Sequence, residues 1–150
     1  MTLPTIVALQ FIDTPLGWLD YLAAALMILL LLMESVADQQ QWRYQRAKKA
    51  RIESGHPLTG KFAKGFLDSG LWAWSRHPNY FAEQGIWIAF YLFSVAASGQ
   101  WINWSISGCI LLVILFRGSS NFSEEISAGK YPQYAVYQKT VPRFVAFRIS

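Results

Sequence analysis

From Gln84 to Phe116 the chain runs for 33 residues without one Asp, Glu, Lys or Arg. A helix in water needs a solvated face, and no such face can be drawn from these residues. The rest of the charge pattern points the same way. The first 42 residues hold no Lys or Arg and only four acids, Asp13, Asp20, Glu34 and Asp38. All 13 basic residues come later, eight of them between Arg43 and Arg76 and five from Arg117 onward. Only 15% of the chain is charged, against about 25% in a soluble domain. A net charge of +4 could suit nucleic acid, but basic residues confined to loops beside uncharged spans are the pattern of a membrane protein. No nucleic-acid partner is expected. Cys109 is the sole cysteine, so no disulfide can form within the chain, and two histidines, His56 and His77, cannot build a His-rich metal site.

The pattern predicts an all-α integral membrane bundle, one domain over residues 1–150, with three full transmembrane helices. Trp18–Ala37 and Pro78–Ala97 are 20 residues each, about 30 Å as helix, and Trp101–Phe116 is shorter. Ser98, Gly99 and Gln100 would join the last two as a tight hairpin. Leu3–Ile12 is too short to span and reads as a partial N-terminal helix. Both basic segments then lie on one side, which the positive-inside rule makes cytoplasmic, with the C-terminus among them. The pattern fits a bacterial inner membrane better than an endoplasmic reticulum.

Polar residues interrupt this scheme in three places. Glu34, Asp38, Gln41 and Gln45 share one helix face, which reads either as an ordinary exit into water or as a stripe facing protein or a water-filled cavity. In Ser75-Arg76-His77-Pro78-Asn79-Tyr80-Phe81-Ala82-Glu83, Pro78 suits the first helical position and His77 the cap. Arg76 beside that helix start would make an anion site. Asn79 and Glu83, four apart, would meet a polar ligand held there, and a carboxylate inside a span is rarely idle. His77 reads equally as a structural cap. The third place is Arg117 with Ser119–Glu125, followed by Tyr131, Tyr134 and Tyr137. Spaced by three, those tyrosines would form one strip, covering an adenine ring or lying at lipid headgroups. Asn103-Trp104-Ser105 and Asn121-Phe122-Ser123 match the glycosylation pattern but lie in a span and on the cytoplasmic side, and carry no weight.

The Ser75–Glu83 motif resembles the C-terminal domain of the steroid 5-alpha reductases, and most closely the bacterial-type membrane proteins grouped with them. Glu34–Trp42, Gly70-Leu71-Trp72, Glu124-Glu125, Lys130-Tyr131-Pro132 and Val141-Pro142-Arg143-Phe144 share the resemblance, which covers about residues 16–147. It implies a membrane reductase using NADPH. Carried over by motif, Asp38, Asn79, Glu83 and Arg117 match cofactor-contacting positions; Arg76 and His77 join them on the helix-end argument. Full members have further N-terminal helices that line the substrate pocket and supply an acid and a tyrosine that act on the enone, so this chain looks like the C-terminal half of one. The expected activity is NADPH-dependent reduction of an activated C=C bond in a lipophilic, steroid- or isoprenoid-like substrate. The expected partners are membrane lipid, that substrate, and a partner chain or the missing helices. Two alternatives stay open. The isoprenylcysteine carboxyl methyltransferases share an Arg-His-Pro motif and a Glu-Glu pair but bind S-adenosylmethionine. A truncated, non-catalytic membrane module is the other.

Overall fold

The computed structural model describes residues 2–144, and among them every regular element is helical. Helix α1 is Leu3–Gln10, α2 Trp18–Glu53, α3 Pro78–Ser98, α4 Ile106–Lys130 and α5 Tyr134–Thr140, with two short 3-10 turns at Gly60–Phe62 and Gly70–Ala73. Two of these helices, α2 and α4, are long and apolar enough to cross a membrane. Their most apolar stretches are only 6% and 17% buried, and Leu29, Leu32, Leu111 and Leu115 are among the large apolar side chains left exposed. Helix α3 forms where a span was expected, but Asn79, Glu83 and Gln84 sit in its first two turns and it is not one of the two.

The chain divides into two compact units. The first takes residues up to Leu32 together with Ala82–Gly118. Here the expected hairpin is corrected. Gly99, at φ +69, closes α3, and its N–H reaches back to the Val95 carbonyl at 2.8 Å. The connection then runs on to α4 at Ile106, not at Trp101. Its conformation is set by Asn103, whose Oδ1 accepts from both the N–H and the hydroxyl of Ser105, at 3.1 and 2.6 Å. Asn103 Nδ2 donates to Ser94 Oγ at 3.2 Å. That network satisfies two buried serines and an amide inside an apolar unit, and it holds the residues before Ile106 out of the helix. Beside it Tyr91, Val95 and Cys109 form the unit's apolar core. Gly85 lets α2 approach α3, since a Cβ there would lie 2.9 Å from the Leu30 side chain.

The second unit takes Met33–Phe81 and the residues from Ser119 on. It contains the polar half of α2, which continues unbroken to Glu53. Gly70 sits at φ +65 with the Gln40 amide 2.6 Å from where a Cβ would be. That close approach docks the Gly70–Ala73 turn on α2. Gln40 Oε1 accepts from the Leu71 N–H at 3.0 Å, and the Trp72 indole donates to the Ala37 carbonyl at 3.1 Å. The tyrosine strip also needs correcting as a surface feature. Tyr134 and Tyr137 do lie on one short helix, but both are buried around Phe66 with centroids 5.1 and 5.2 Å from its ring.

Candidate functional site

The Ser75–His77 segment is fixed from both ends. Its backbone pairs with the chain after α5: the Arg76 N–H donates to the Pro142 carbonyl at 2.9 Å and the His77 N–H to the Arg143 carbonyl at 3.0 Å. The His77 carbonyl then accepts the first helical bond of α3, from the Phe81 N–H at 3.0 Å, which is the cap position expected of it.

The side chains of this segment converge on Glu124 of α4. Arg76 Nε lies 2.8 Å from Glu124 Oε1 and Nη2 lies 3.2 Å from Oε2. Its Nη1 donates to the carbonyls of Gln138 and Val141 at 2.6 and 2.5 Å. The Gln138 amide and Arg143 Nη2 also reach Glu124 Oε2, at 2.9 and 3.2 Å. His77 Nε2 completes the set, 3.0 Å from Oε1, with its ring stacked 5.2 Å from that of Tyr80. Burial alone would raise the Glu124 carboxyl, but hydrogen bonds from Arg76, Gln138 and His77 outweigh it and hold the group at about 2. Burial pushes the His77 imidazole below its ordinary value; the Arg76 and Arg143 charges add to this, and Glu124 opposes it. His77 is therefore neutral at pH 7 and donates its Nε2–H to the carboxylate. The free guanidinium expected beside the helix start is replaced by an internal ion pair, because Glu124, 48 residues away, supplies the anion from within the chain.

Against this cluster lies a cavity of about 230 Å³. Phe66, Trp72, Tyr80, Tyr134 and Tyr137 give it aromatic walls, and Ser123 and Ser127 contribute hydroxyls. Gln41, Arg76, His77 and Asn79 also line it. Two atoms stand out. Gln41 Oε1 and Asn79 Oδ1 are buried and have no hydrogen-bond partner. Buried acceptors are almost always satisfied, so a pair of them on one cavity marks a place for donors from a ligand.

Residues 1–141 match the family described as "Protein of unknown function (DUF1295)". The chain belongs to the DUF1295 family. An uncharacterised protein of Schizosaccharomyces pombe is 42% identical to it over 134 residues, covering 85% of this chain and 39% of the fungal protein. This DUF1295 chain thus spans about two fifths of that relative's length. No solved structure matches it.

Of the six residues singled out in this DUF1295 sequence, the structure brings Arg76, His77 and Asn79 together around the cavity. Asp38 is exposed on α2 and does not line it. Glu83 and Arg117 belong to the first unit. Glu83 Oε1 accepts from the Trp87 indole N–H at 3.0 Å, one turn along α3, and Arg117 is exposed on α4. Sequence reasoning overlooked Phe66 and Trp72 as cavity walls and left Glu124 and Gln41 out of the site. The Glu34–Gln45 stripe already held Gln41. Nothing local to Gly65-Phe66 marks the phenylalanine, because its role comes from the fold of the loop.

For a dinucleotide the fit divides. The aromatic walls, hydroxyls and open amide oxygens suit one flat heterocycle carrying N–H groups. The volume is below the 300–1,000 Å³ of a site enclosing a whole drug-sized ligand. Arg76 spends its donors on Glu124 and two backbone carbonyls, so phosphates are left to cations outside the cavity, of which Arg43 and Arg46 on α2 are exposed.

Proposed function

We propose that this chain carries the NADPH-binding part of a membrane reductase that saturates an activated C=C bond in a lipophilic, steroid- or isoprenoid-like substrate. The observation that carries the reading is Asn79 Oδ1. It is buried and unpartnered on an aromatic-walled cavity, at a position the family resemblance assigns to cofactor contact.

The reduced cofactor, when bound, supplies the hydride. The β carbon of the double bond would gain that hydride and the α carbon a proton from the acid or tyrosine that the further N-terminal helices supply, so C=C would become CH–CH as NADPH becomes NADP⁺. The chain's own residues bind and orient. Asn79 would accept from an N–H of the ring, while Phe66, Trp72 and Tyr80, which wall the cavity, would exclude water from it. The ion pair of Arg76 with Glu124 keeps the Ser75–His77 segment, and so the start of α3, in one position. Asp38, Glu83 and Arg117 stay in the proposal as further contacts, on the resemblance. His77 acts through the ion-pair cluster it completes.

In the membrane we place three spans, on α2, α3 and α4, with the N-terminus outside and the C-terminus in the cytoplasm. All 13 Lys and Arg fall in the segments so placed inside. In a Cys109→Ser background, a cysteine at Gln100 should react with an impermeant thiol reagent added from outside and one at Gly60 should not. The reverse pattern overturns the orientation.

Titration of the detergent-solubilised chain with NADPH and, separately, with S-adenosylmethionine tests the reading. Tighter binding of NADPH supports it. Binding of S-adenosylmethionine alone favours the methyltransferase relationship instead, and binding of neither removes both.

A further inference from the structure

Gln41 was not among the residues that the resemblance assigns to cofactor, yet the structure puts it in the same condition as Asn79. Its Oε1 is buried, has no partner and lines the same cavity. The reason lies in how the Gly70–Ala73 turn meets α2. Three acceptors follow one another there. The Ala37 carbonyl takes the Trp72 indole N–H and Gln40 Oε1 takes the Leu71 N–H, at 3.1 and 3.0 Å. The positive φ of Gly70 and the Gln40 amide, which fills the space a Cβ there would take, fix that docking. The turn therefore uses the first two acceptors and leaves Gln41 with none. A buried amide oxygen left this way is unfavourable in the empty protein, and a ligand N–H relieves it.

We infer that Gln41 is a specificity-determining residue: with Asn79 it reads a primary amino group on a flat, uncharged ring held in the cavity. This rests on the dinucleotide reading above. Two acceptors suit the two N–H donors of an –NH₂ group, and the hydroxyl of Ser123 can donate to an acceptor beside it. Arg76 commits its Nε, Nη1 and Nη2 to Glu124 and to the Gln138 and Val141 carbonyls, so the open acceptors Gln41 and Asn79, which suit N–H donors and not a phosphate, decide what the cavity holds. A dinucleotide has two groups of this chemistry, the carboxamide of the nicotinamide and the 6-amino group of the adenine.

Three ligands separate the cases on the unaltered chain: NADPH, its 3-acetylpyridine analogue, where the carboxamide NH₂ becomes methyl, and its hypoxanthine analogue, where the amino group becomes oxo. The expected result is that one analogue binds more weakly than NADPH, about 2- to 13-fold for each neutral hydrogen bond lost, and the other binds as NADPH does. The analogue that weakens identifies the ring. In Gln41→Leu that discrimination should shrink and NADPH affinity should fall by a similar factor. The thermal midpoint without ligand should hold or rise, because an unpaired buried acceptor has been removed; a merely structural glutamine would lower it. Equal binding of all three ligands overturns the inference while leaving NADPH binding intact, as does discrimination that Gln41→Leu does not change. No binding of NADPH overturns the functional reading itself and this inference with it.

Discussion

Arg76 and Glu124 meet edge to edge, two nitrogens against two oxygens at 2.8 and 3.2 Å, with side chains only 9% and 3% exposed. Geometry of this kind is the strong form of an ion pair, yet its charges have been taken almost wholly out of water. Such a pair contributes mainly by being complete. Removing one partner leaves the other charged, buried and unsatisfied.

Glu124→Ala should therefore cost about 3–5 kcal/mol of stability, since Arg76, Arg143 and His77 all lose their shared acceptor. Arg76→Met combined with Glu124→Leu should recover part of that loss, because the pair's desolvation is then avoided. Denaturant unfolding in detergent measures both. A loss below about 1 kcal/mol for Glu124→Ala, the range of an exposed pair, would show that the cluster is not the clasp described here.

Acid should weaken the same cluster in two steps. His77 titrates lower folded than its ordinary 6.5, so its contribution is complete above 6.5 and is lost as pH falls toward the folded value. Glu124 follows the same sign, complete above 4.5 and lost as pH falls from there to about 2. Unfolding midpoints taken from pH 8 downward should begin to fall near 6.5 and fall further below 4.5. In His77→Gln the first decline should be absent. A midpoint that rises on acidification from pH 7 to 5 would contradict both signs.

The helices were legible in the sequence because their signals are local. Trp18 begins α2 and Pro78 begins α3 as the apolar runs and the proline predict, and the two ends of the short first helix are close to expectation. Where α4 starts was not legible, because Trp101 and Ile102 are apolar enough to read as span and only the Asn103–Ser105 network excludes them. The candidate site was legible in part. His77 and Asn79 stand out by position, whereas the anion that takes Arg76 comes from Glu124 in a segment far along the chain. Charge counting along a sequence cannot show such a pairing. The same holds for the tyrosines: their spacing places Tyr134 and Tyr137 on one face, but Phe66 decides that the face is buried.

Two glycines should prove irreplaceable and a third dispensable. Gly65, at φ +81, would place a Cβ 2.4 Å from the Tyr131 ring, and Gly70 would place one 2.6 Å from the Gln40 amide. Alanine at either combines a left-handed backbone, costing about 1–2 kcal/mol, with a clash. Gly118, inside α4 with nothing within 4 Å, should gain about 0.5–1 kcal/mol as alanine. Thermal melts of the three variants rank them; a destabilised Gly118→Ala or a neutral Gly70→Ala would contradict the packing.

Glu83→Gln should leave stability nearly unchanged, because an amide oxygen can still accept from the Trp87 indole at the position Oε1 now holds. NADPH affinity should nevertheless fall roughly 10- to 150-fold, the loss of a hydrogen bond to a charged group. Unchanged affinity, measured by titration in detergent, would confine Glu83 to its bond with Trp87.

The most direct measurement is the dissociation constant of NADPH for Asn79→Ala against the unaltered chain, taken with the thermal midpoint of each without ligand. If the buried, unpartnered Oδ1 of Asn79 is a cofactor contact, affinity falls about 2- to 13-fold, the value of one neutral hydrogen bond, while the midpoint stays the same or rises. If NADPH binds both proteins equally, the cavity beside Arg76 and His77 is not where the cofactor lies; if it binds neither, the reading of this chain as the cofactor-binding part of a reductase is contradicted.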